Sequence, residues 1–420
     1  MQLKVPEGST RCQKLLFETF NSGTQFIFVT GNGGVGKSHA IKRLIWQVPK
    51  KKRLVVAPTG VAAQLIGGRT IHSAFNINFN LPPDEQVDNA INDDKLIELF
   101  EGIDLLVIDE ISMVSAALLN VMEAVAREAR GSDDPWGGLK VIAMGDFRQL
   151  PPVVKRGERR VWAFESDAWK AAKFKSILMQ TQMRSQDPFY TEILNNVRIG
   201  KLTPEVRQFL DSRVRPGESH NCMHLYCHNT KVNDYNDACL SSLGGRGTTF
   251  ITHFKPAGAK DGVLKAFPWL GEGLRVKVGA RVMIRKNHPD GHYVNGSIGY
   301  VTSFNSKYMD IELTNGNDVQ LEPAEFNLTD DAGYTYATAT NFPISLAYAT
   351  SIHKSQGSTL DSAFLDIREA WEPGQAYVAL SRVKAAEGLF LAGWTPEAII
   401  NLDPKVTEFH RQLFHEAVKI

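Results

Sequence analysis

Gly31-Asn32-Gly33-Gly34-Val35-Gly36-Lys37-Ser38 sets a cation and a hydroxyl at the end of a glycine-rich turn with the spacing G-x-x-x-x-G-K-S. Glycines let successive backbone N–H groups turn inward around a polyanion, and a following helix adds the positive end of its dipole. Gly33, Gly34, Val35 and Gly36 would supply those amides. Lys37 would reach the β- and γ-phosphates, and the Ser38 hydroxyl would hold Mg²⁺. The motif has meaning only between a strand and a helix. Residues 26–29 are an apolar run, and Ile41, Leu44 and Ile45 fall at helical spacing after the turn. These residues imply a site for a nucleoside triphosphate.

Four more side chains extend the chemistry. Leu105-Leu106-Val107-Ile108 is an apolar run ending in Asp109-Glu110. Asp109 would hold the same Mg²⁺ through water, and Glu110 would orient or deprotonate the attacking water. Gln149 lies in Met144-Gly145-Asp146-Phe147-Arg148-Gln149-Leu150-Pro151-Pro152-Val153. Its amide both donates and accepts, which suits contact with a γ-phosphate or the lytic water. Asp146 is placed to join that network.

These residues need a scaffold. Strand-like runs at 26–29, 54–57, 105–108 and 140–144 alternate with helical or irregular segments. That alternation predicts an α/β fold, a parallel sheet with helices on both faces. Each run ends in polar, glycine or acidic residues, and ligands of such sheets bind at the carboxyl ends of the strands. The candidate positions therefore share one edge. Residues 75–94, rich in Asn, Asp and Pro with Phe75, Ile77 and Phe79 alternating, predict a short hairpin or small subdomain inserted in the sheet domain. Between 255 and 342, short alternating runs recur at 274–278, 281–284, 298–304, 309–313 and 318–321. Turn signals such as Asn295-Gly296 separate them, which predicts a small antiparallel barrel. An α/β texture returns at 345–352.

At 420 residues the chain exceeds what one core supports, so several domains are expected. No apolar run is long enough to cross a bilayer as a helix, which argues against a membrane-spanning role. The first residues carry neither a signal-peptide core nor a transit pattern, and four cysteines fit a reducing compartment. A cytoplasmic, bacterial or otherwise intracellular location is expected. A net charge of +1 excludes a chain coated in basic charge but leaves room for a local basic channel.

Taken in order, these segments resemble the motifs of superfamily-one helicases of the 5′-to-3′ branch, and within them the Pif-type (petite integration frequency) family. The resemblance runs nearly end to end. It begins with Gln13 in an adenine-reading position and the phosphate loop, and takes in Ala57-Pro58-Thr59-Gly60-Val61-Ala62-Ala63 and Thr70-Ile71-His72-Ser73. Asp109-Glu110-Ile111-Ser112, residues 145–153 and Gln182-Met183-Arg184 follow. Last come residues 351–361 and Ala376-Tyr377-Val378-Ala379-Leu380-Ser381-Arg382-Val383. Residues 126–138 resemble the family's signature between motifs II and III, with Trp136 where Phe is usual.

The resemblance implies two RecA-like domains, residues 1–73 with 96–178 and residues 179–254 with 343–420. It adds an inserted hairpin at 74–95 and an SH3-like β-barrel insertion at 255–342. It implies ATP and Mg²⁺ as cofactors, with Arg184 and Arg382 stabilising charge on the γ-phosphoryl group and Gln356 and Gly357 in the same cleft. The implied activity is ATP-dependent 5′-to-3′ DNA unwinding in replication, repair and genome maintenance, with RNA–DNA hybrids and G-quadruplexes as open substrates. Single-stranded and forked DNA are the implied partners of a monomeric motor able to dimerise on DNA. Thr59, Val61, His72, His353 and Lys354 would meet the DNA backbone, and Lys286 and Asn295 would lie at polar barrel tips closing over the strand. Phe75 and Phe79 would either stack on bases at the fork or form the hairpin's own core. Asn229 is either near the DNA or a cap of the following helix. Lacking long terminal extensions, the sequence suits a bacterium or phage.

Other readings compete. A P-loop ATPase of another class, remodelling nucleic acid without strand separation, would share the nucleotide site. His220, Cys222, His224, Cys227 and His228 are dense, but they lack zinc-finger spacing and lie in a strand-like run, so core packing is expected instead of metal. Lys50-Lys51-Lys52-Arg53 lies at the amino end of a strand, away from the ligand edge, and reads as a solvated turn.

Overall fold

The computed structural model describes residues 2–78, 81–154, 157–185, 187–216, 222–267, 269–288, 290–329 and 335–417. They form two units, Met1–Ser219 with Ile352–Ile420, and His220–Ser351.

The first unit is organised by six strands: Phe26–Gly31 (β1), Arg53–Ala57 (β2), Arg69–Thr70 (β3), Leu105–Ile108 (β4), Lys140–Met144 (β5) and Lys175–Met179 (β6). Their order is β3-β2-β4-β5-β1-β6, and every pairing is parallel. Strand side chains alternate between faces, and here both faces are apolar. Phe28, Val56, Leu106, Ile108 and Val141 enter one core with the helices Asp94–Gly102, Ala116–Arg130 and Asp167–Ala172. Ile27, Val29, Val55, Val107 and Ile142 enter the other, covered by Arg11–Asn21 and Lys37–Ile45. Burial on both sides explains why these strands read as continuous apolar runs. Because β5 lies between β1 and β4, its carboxyl end sets Gln149 between the phosphate loop and the acidic pair. From the end of the chain, Val406 and Phe409 of the helix Pro404–Ala417 pack on the first core.

Among the described residues, the segment 74–95 forms no hairpin. Its described residues include a helix, Pro83–Ile91, with Pro at the first turn and Asp84 and Glu85 beside it. Proline and acidic residues start helices as readily as they make turns. Phe75 is fully buried and meets Phe100 edge-on at 5.1 Å, so it is a core residue and not a base-stacking one. Phe79 lies outside the described residues.

The second unit contains Met223–Tyr226 (β7), Thr248–Ile251 (β8), His253–Lys255 (β9), Gly273–Val276 (β10), Arg281–Ile284 (β11) and Ile298–Phe304 (β12). Met309–Leu313 (β13), Asp318–Leu321 (β14), Ala324–Thr329 (β15), Thr335–Asn341 (β16), Ile344–Leu346 (β17) and Ala349–Ser351 (β18) follow. Three antiparallel sheets form, β14-β13-β12-β11-β17, β10-β8 and β15-β16-β9. The described residues show three separate sheets here and no single closed ring. The first two share a core of Leu274, Val282, Val301, Ile311 and Phe342, to which Leu240 contributes from the helix Asn229–Ser242. The antiparallel texture thus runs from Thr248 to Leu346, wider than 255–342. Among the described residues no helix is long and apolar enough to cross a membrane.

Candidate active site

The turn after β1 takes the left-handed backbone it needs at Gly34 (φ 84°) and Gly36 (φ 80°). A Cβ at either would meet Gln182 or Met183 at 2.5 Å. Val35 points into the core, so only its backbone faces the cleft. Lys37 donates to the carbonyls of Gly31 at 2.8 Å and Asn32 at 3.0 Å. Burial lowers its pKa, opposed by the nearby carboxylates of Asp146 and Glu110.

At the end of β4, Asp109 accepts the Glu110 N–H at 2.8 Å, and Glu110 itself adopts φ 49°. Burial first, and Glu110 second, push the Asp109 carboxyl up to about 8. Burial also raises Glu110, against the pull of Lys37 and Arg382. Gln356 donates to Glu110 Oε2 at 2.9 Å. A crowded acidic pair of this kind favours any cation delivered to it.

Two guanidinium groups face this acid. Arg184 Nη1 donates to the Ser381 carbonyl at 2.5 Å, and its backbone N–H donates to Gly34 O at 3.1 Å. Arg382, buried, donates to the Val378 carbonyl and to Ser381 Oγ, both at 2.9 Å. Burial, then the charge of Arg184, bring the Arg382 pKa down to about 9. Two cations held together with few counter-charges make a strong site for a polyanion.

Lys37, Ser38, Asp109, Glu110, Gln149, Arg184, Gly357 and Arg382 all line one cleft of about 460 Å³. Gln13 is buried beside it. Its carbonyl oxygen closes a capping box with the Thr10 N–H, and its Nε2 lies 3.9 Å from Met183 Sδ. The residues of the first unit expected at DNA are not among those that line this cleft. Thr59 and His72 border a second cavity with Pro58, Gln86 and Pro152. Thr59 also caps the helix Gly60–Ile66, accepting from Ala62 N at 3.2 Å, and Val61 is 38% exposed. His353 is half-buried near Trp371 and Lys354 is exposed.

In the second unit, Lys286 is exposed, and the Asn295 N–H donates to Asn287 Oδ1 at 2.8 Å. His228 holds the cap position there, and Asn229 begins the helix. Cys222 and Cys227 are buried around β7, and His224 stacks on Tyr235 with a 2.8 Å hydrogen bond. His220 lies outside the described residues.

Sequence reasoning did not assign two contacts. The Gly33 N–H donates to the Tyr377 hydroxyl at 2.7 Å. Arg198 pairs with Asp146 through both Nε (2.9 Å) and Nη2 (2.7 Å). Both join residues far apart in the chain, which no local pattern reveals.

Comparison with known proteins agrees with this geometry. The family model described as PIF1-like helicase matches residues 9–207. A protein of Bdellovibrio bacteriovorus named ATP-dependent DNA helicase Pif1 is 37% identical over 388 residues, 92% of this chain and 88% of its own. The crystal structure of Pif1 helicase from Candida albicans superposes with a TM-score of 0.87 at 31% identity, covering 96% of this chain and 99% of that one. A Bacteroides Pif1 helicase solved in complex with ADP-AlF3 and ssDNA gives a TM-score of 0.77 at 30% identity, covering 99% and 98%. With the phosphate loop, acidic pair and two arginines in one cleft, and with the Bdellovibrio relative 37% identical over 88% of its length, the chain belongs to the PIF1-like helicase family.

Proposed function

We propose that this chain is an ATP-dependent DNA helicase that moves 5′-to-3′ along single-stranded DNA and separates the duplex ahead of it. The observation that carries the reading is the convergence of Lys37, Ser38, Asp109, Glu110, Gln149, Arg184 and Arg382 on one cleft. Lys37 holds the β- and γ-phosphates. Glu110, its carboxyl raised by burial, takes a proton from the attacking water. Gln149 orients that water, and Arg184 and Arg382 meet the charge that spreads over the γ-phosphoryl oxygens. Gln356 ties Glu110 to the segment that carries His353 and Lys354 toward the DNA, so hydrolysis and grip on the strand share a connection.

Mg²⁺ fits the donor set. Ser38 offers a hydroxyl and Asp109 a carboxylate, hard oxygen ligands beside an acidic pair whose crowding a divalent cation relieves. Held by Ser38 and Asp109, the ion would supply positive charge against the phosphates. The Bacteroides relative was solved with a nucleotide analogue and ssDNA together, which supports DNA as the track. Thr59, Val61, His72, His353 and Lys354 of the first unit are the proposed contacts to the DNA backbone, and Lys286 and Asn295 of the second are proposed as further contacts to the strand. We read the chain as two RecA-like motor domains with insertions, working as a monomer in the cytoplasm.

The decisive experiment measures ATP hydrolysis with and without single-stranded DNA, then unwinding of 5′-tailed, 3′-tailed and quadruplex substrates. DNA-stimulated hydrolysis with unwinding only from 5′ tails is expected. Hydrolysis indifferent to DNA would favour a P-loop ATPase of another class.

A further inference from the structure

Asp146 is fully buried, yet it is ionised. The Arg198 fork holds its carboxyl well below the ordinary carboxylate range against the cost of burial. Arg198 itself is 5% exposed at the end of the helix Pro188–Arg198. A buried ion pair contributes little to stability for its desolvation cost, but a bidentate one imposes geometry. The remaining capacity of Asp146 is directed at its own loop. Oδ1 accepts the Arg148 N–H at 3.1 Å, and Oδ2 accepts Gln149 Nε2 at 3.4 Å. Lys37, Glu110, Tyr377 and His410 also act on this group through space. His410 Nε2 stands 3.8 Å from Asp146 Oδ1 and has no hydrogen-bond partner among the described residues.

An ionised carboxylate only accepts. It therefore selects the NH₂ end of the Gln149 amide and leaves the carbonyl end for the cleft. A carbonyl in that place can accept a proton of the lytic water, whereas a flipped amide would present N–H groups to it. We propose that Arg198 is a positioning residue for ATP hydrolysis, keeping Asp146 an acceptor so that Gln149 presents its carbonyl to the attacking water. The inference rests on the role given to Gln149 above.

R198K keeps the charge but loses the fork, and D146N lets position 146 donate. Each is expected to lower kcat about tenfold while KM for ATP stays within about twofold, the pattern of an interaction made in the transition state. On a Q149A background the same changes should have no further effect, because residues acting through one group are not additive. Native kcat in both variants, an equal loss on the Q149A background, or a KM that rises in step would overturn the proposal. Native turnover in Q149A alone would overturn the role of Gln149 and this inference with it. A defective Q149A beside unaffected R198K and D146N would overturn the inference and leave the reading of the site standing.

Discussion

Glu110 adopts φ 49°, a region that costs a non-glycine residue of order 1–3 kcal/mol and persists where surrounding structure holds it. Its N–H on Asp109 and its carboxylate on Gln356 are what hold it. Glu110→Gln keeps the shape and removes the proposed base, so it should bind a fluorescent ATP analogue normally and lose at least about a hundredfold in turnover. Near-native hydrolysis would mean that another group takes the proton. Lys37→Ala should abolish hydrolysis and leave nucleotide-free binding of single-stranded DNA largely intact, because Lys37 lines the cleft proposed for the nucleotide and Thr59 and His72 border a different cavity. An oligonucleotide titration showing equal loss of DNA affinity would refute that separation.

His410 tests the buried network in another way. Burial holds its pKa down to about 3 against an ordinary 6.5. The unfolded chain therefore takes up a proton between those values and the folded chain does not. That stability is complete above pH 6.5 and is lost as pH falls toward 3. Asp146, also depressed, adds to the loss at the acid end. His410→Leu should flatten the decline, read as melting temperature from neutral pH downward. An unchanged acid slope would show that His410 does not titrate across folding.

At the scale of elements, a tight joint follows the helix Ala116–Arg130. Ser115 caps its start by accepting from Leu118 N at 3.2 Å, and Gly131 ends it in a left-handed turn. The chain then passes Trp136 and Gly137, both at φ 59°. Arg130 fastens the turn by donating to the Gly137 carbonyl at 2.6 Å and the Ile103 carbonyl at 3.0 Å. A Cβ on Gly137 would sit 2.6 Å from the Ala126 carbonyl oxygen. Gly137→Ala should therefore cost roughly 1–3 kcal/mol of stability, seen as a lower denaturation midpoint with KM for ATP unchanged. A native midpoint would mean that the turn relaxes freely. Thr59 shows how one residue can serve two levels, since the hydroxyl expected at DNA already caps its own helix.

At the scale of the molecule, the nucleotide cleft is built from the first unit alone, while the antiparallel sheets from Thr248 to Leu346 belong to the second. Replacing residues 247–346 by a Gly-Ser linker, with Leu240→Gln to cover the face that loses its core, should spare basal ATP hydrolysis. Affinity for single-stranded DNA and multiple-turnover unwinding should fall at least about tenfold, as expected when one of several linked contacts to a track is removed. Full unwinding by a folded deletion protein would make the insertion a spectator.

The sequence alone determined whatever depends on neighbours in the chain. The phosphate loop, the acidic pair after an apolar strand, and four of the six parallel strands are local patterns. So are the runs at Arg281–Ile284, Ile298–Phe304, Met309–Leu313 and Asp318–Leu321, whose alternation matches a pleated strand with one buried face. The two missed strands of the parallel sheet, Arg69–Thr70 and Lys175–Met179, lie at its edges, where the pattern is too brief or too polar to read. Tertiary structure decided the rest. Alternation at Phe75 could not say whether the aromatic faced a fork or a core, and packing on Phe100 chose the core. Prolines and acids at 82–85 fit a turn or a helix start, and burial of Ala90 in the core beside the helix Ala116–Arg130 chose the helix. The Asp146–Arg198 pair and the Gly33–Tyr377 bond span 52 and 344 positions. Contacts at such separations exist only once the strand order has brought their elements to one edge, which no window of sequence contains.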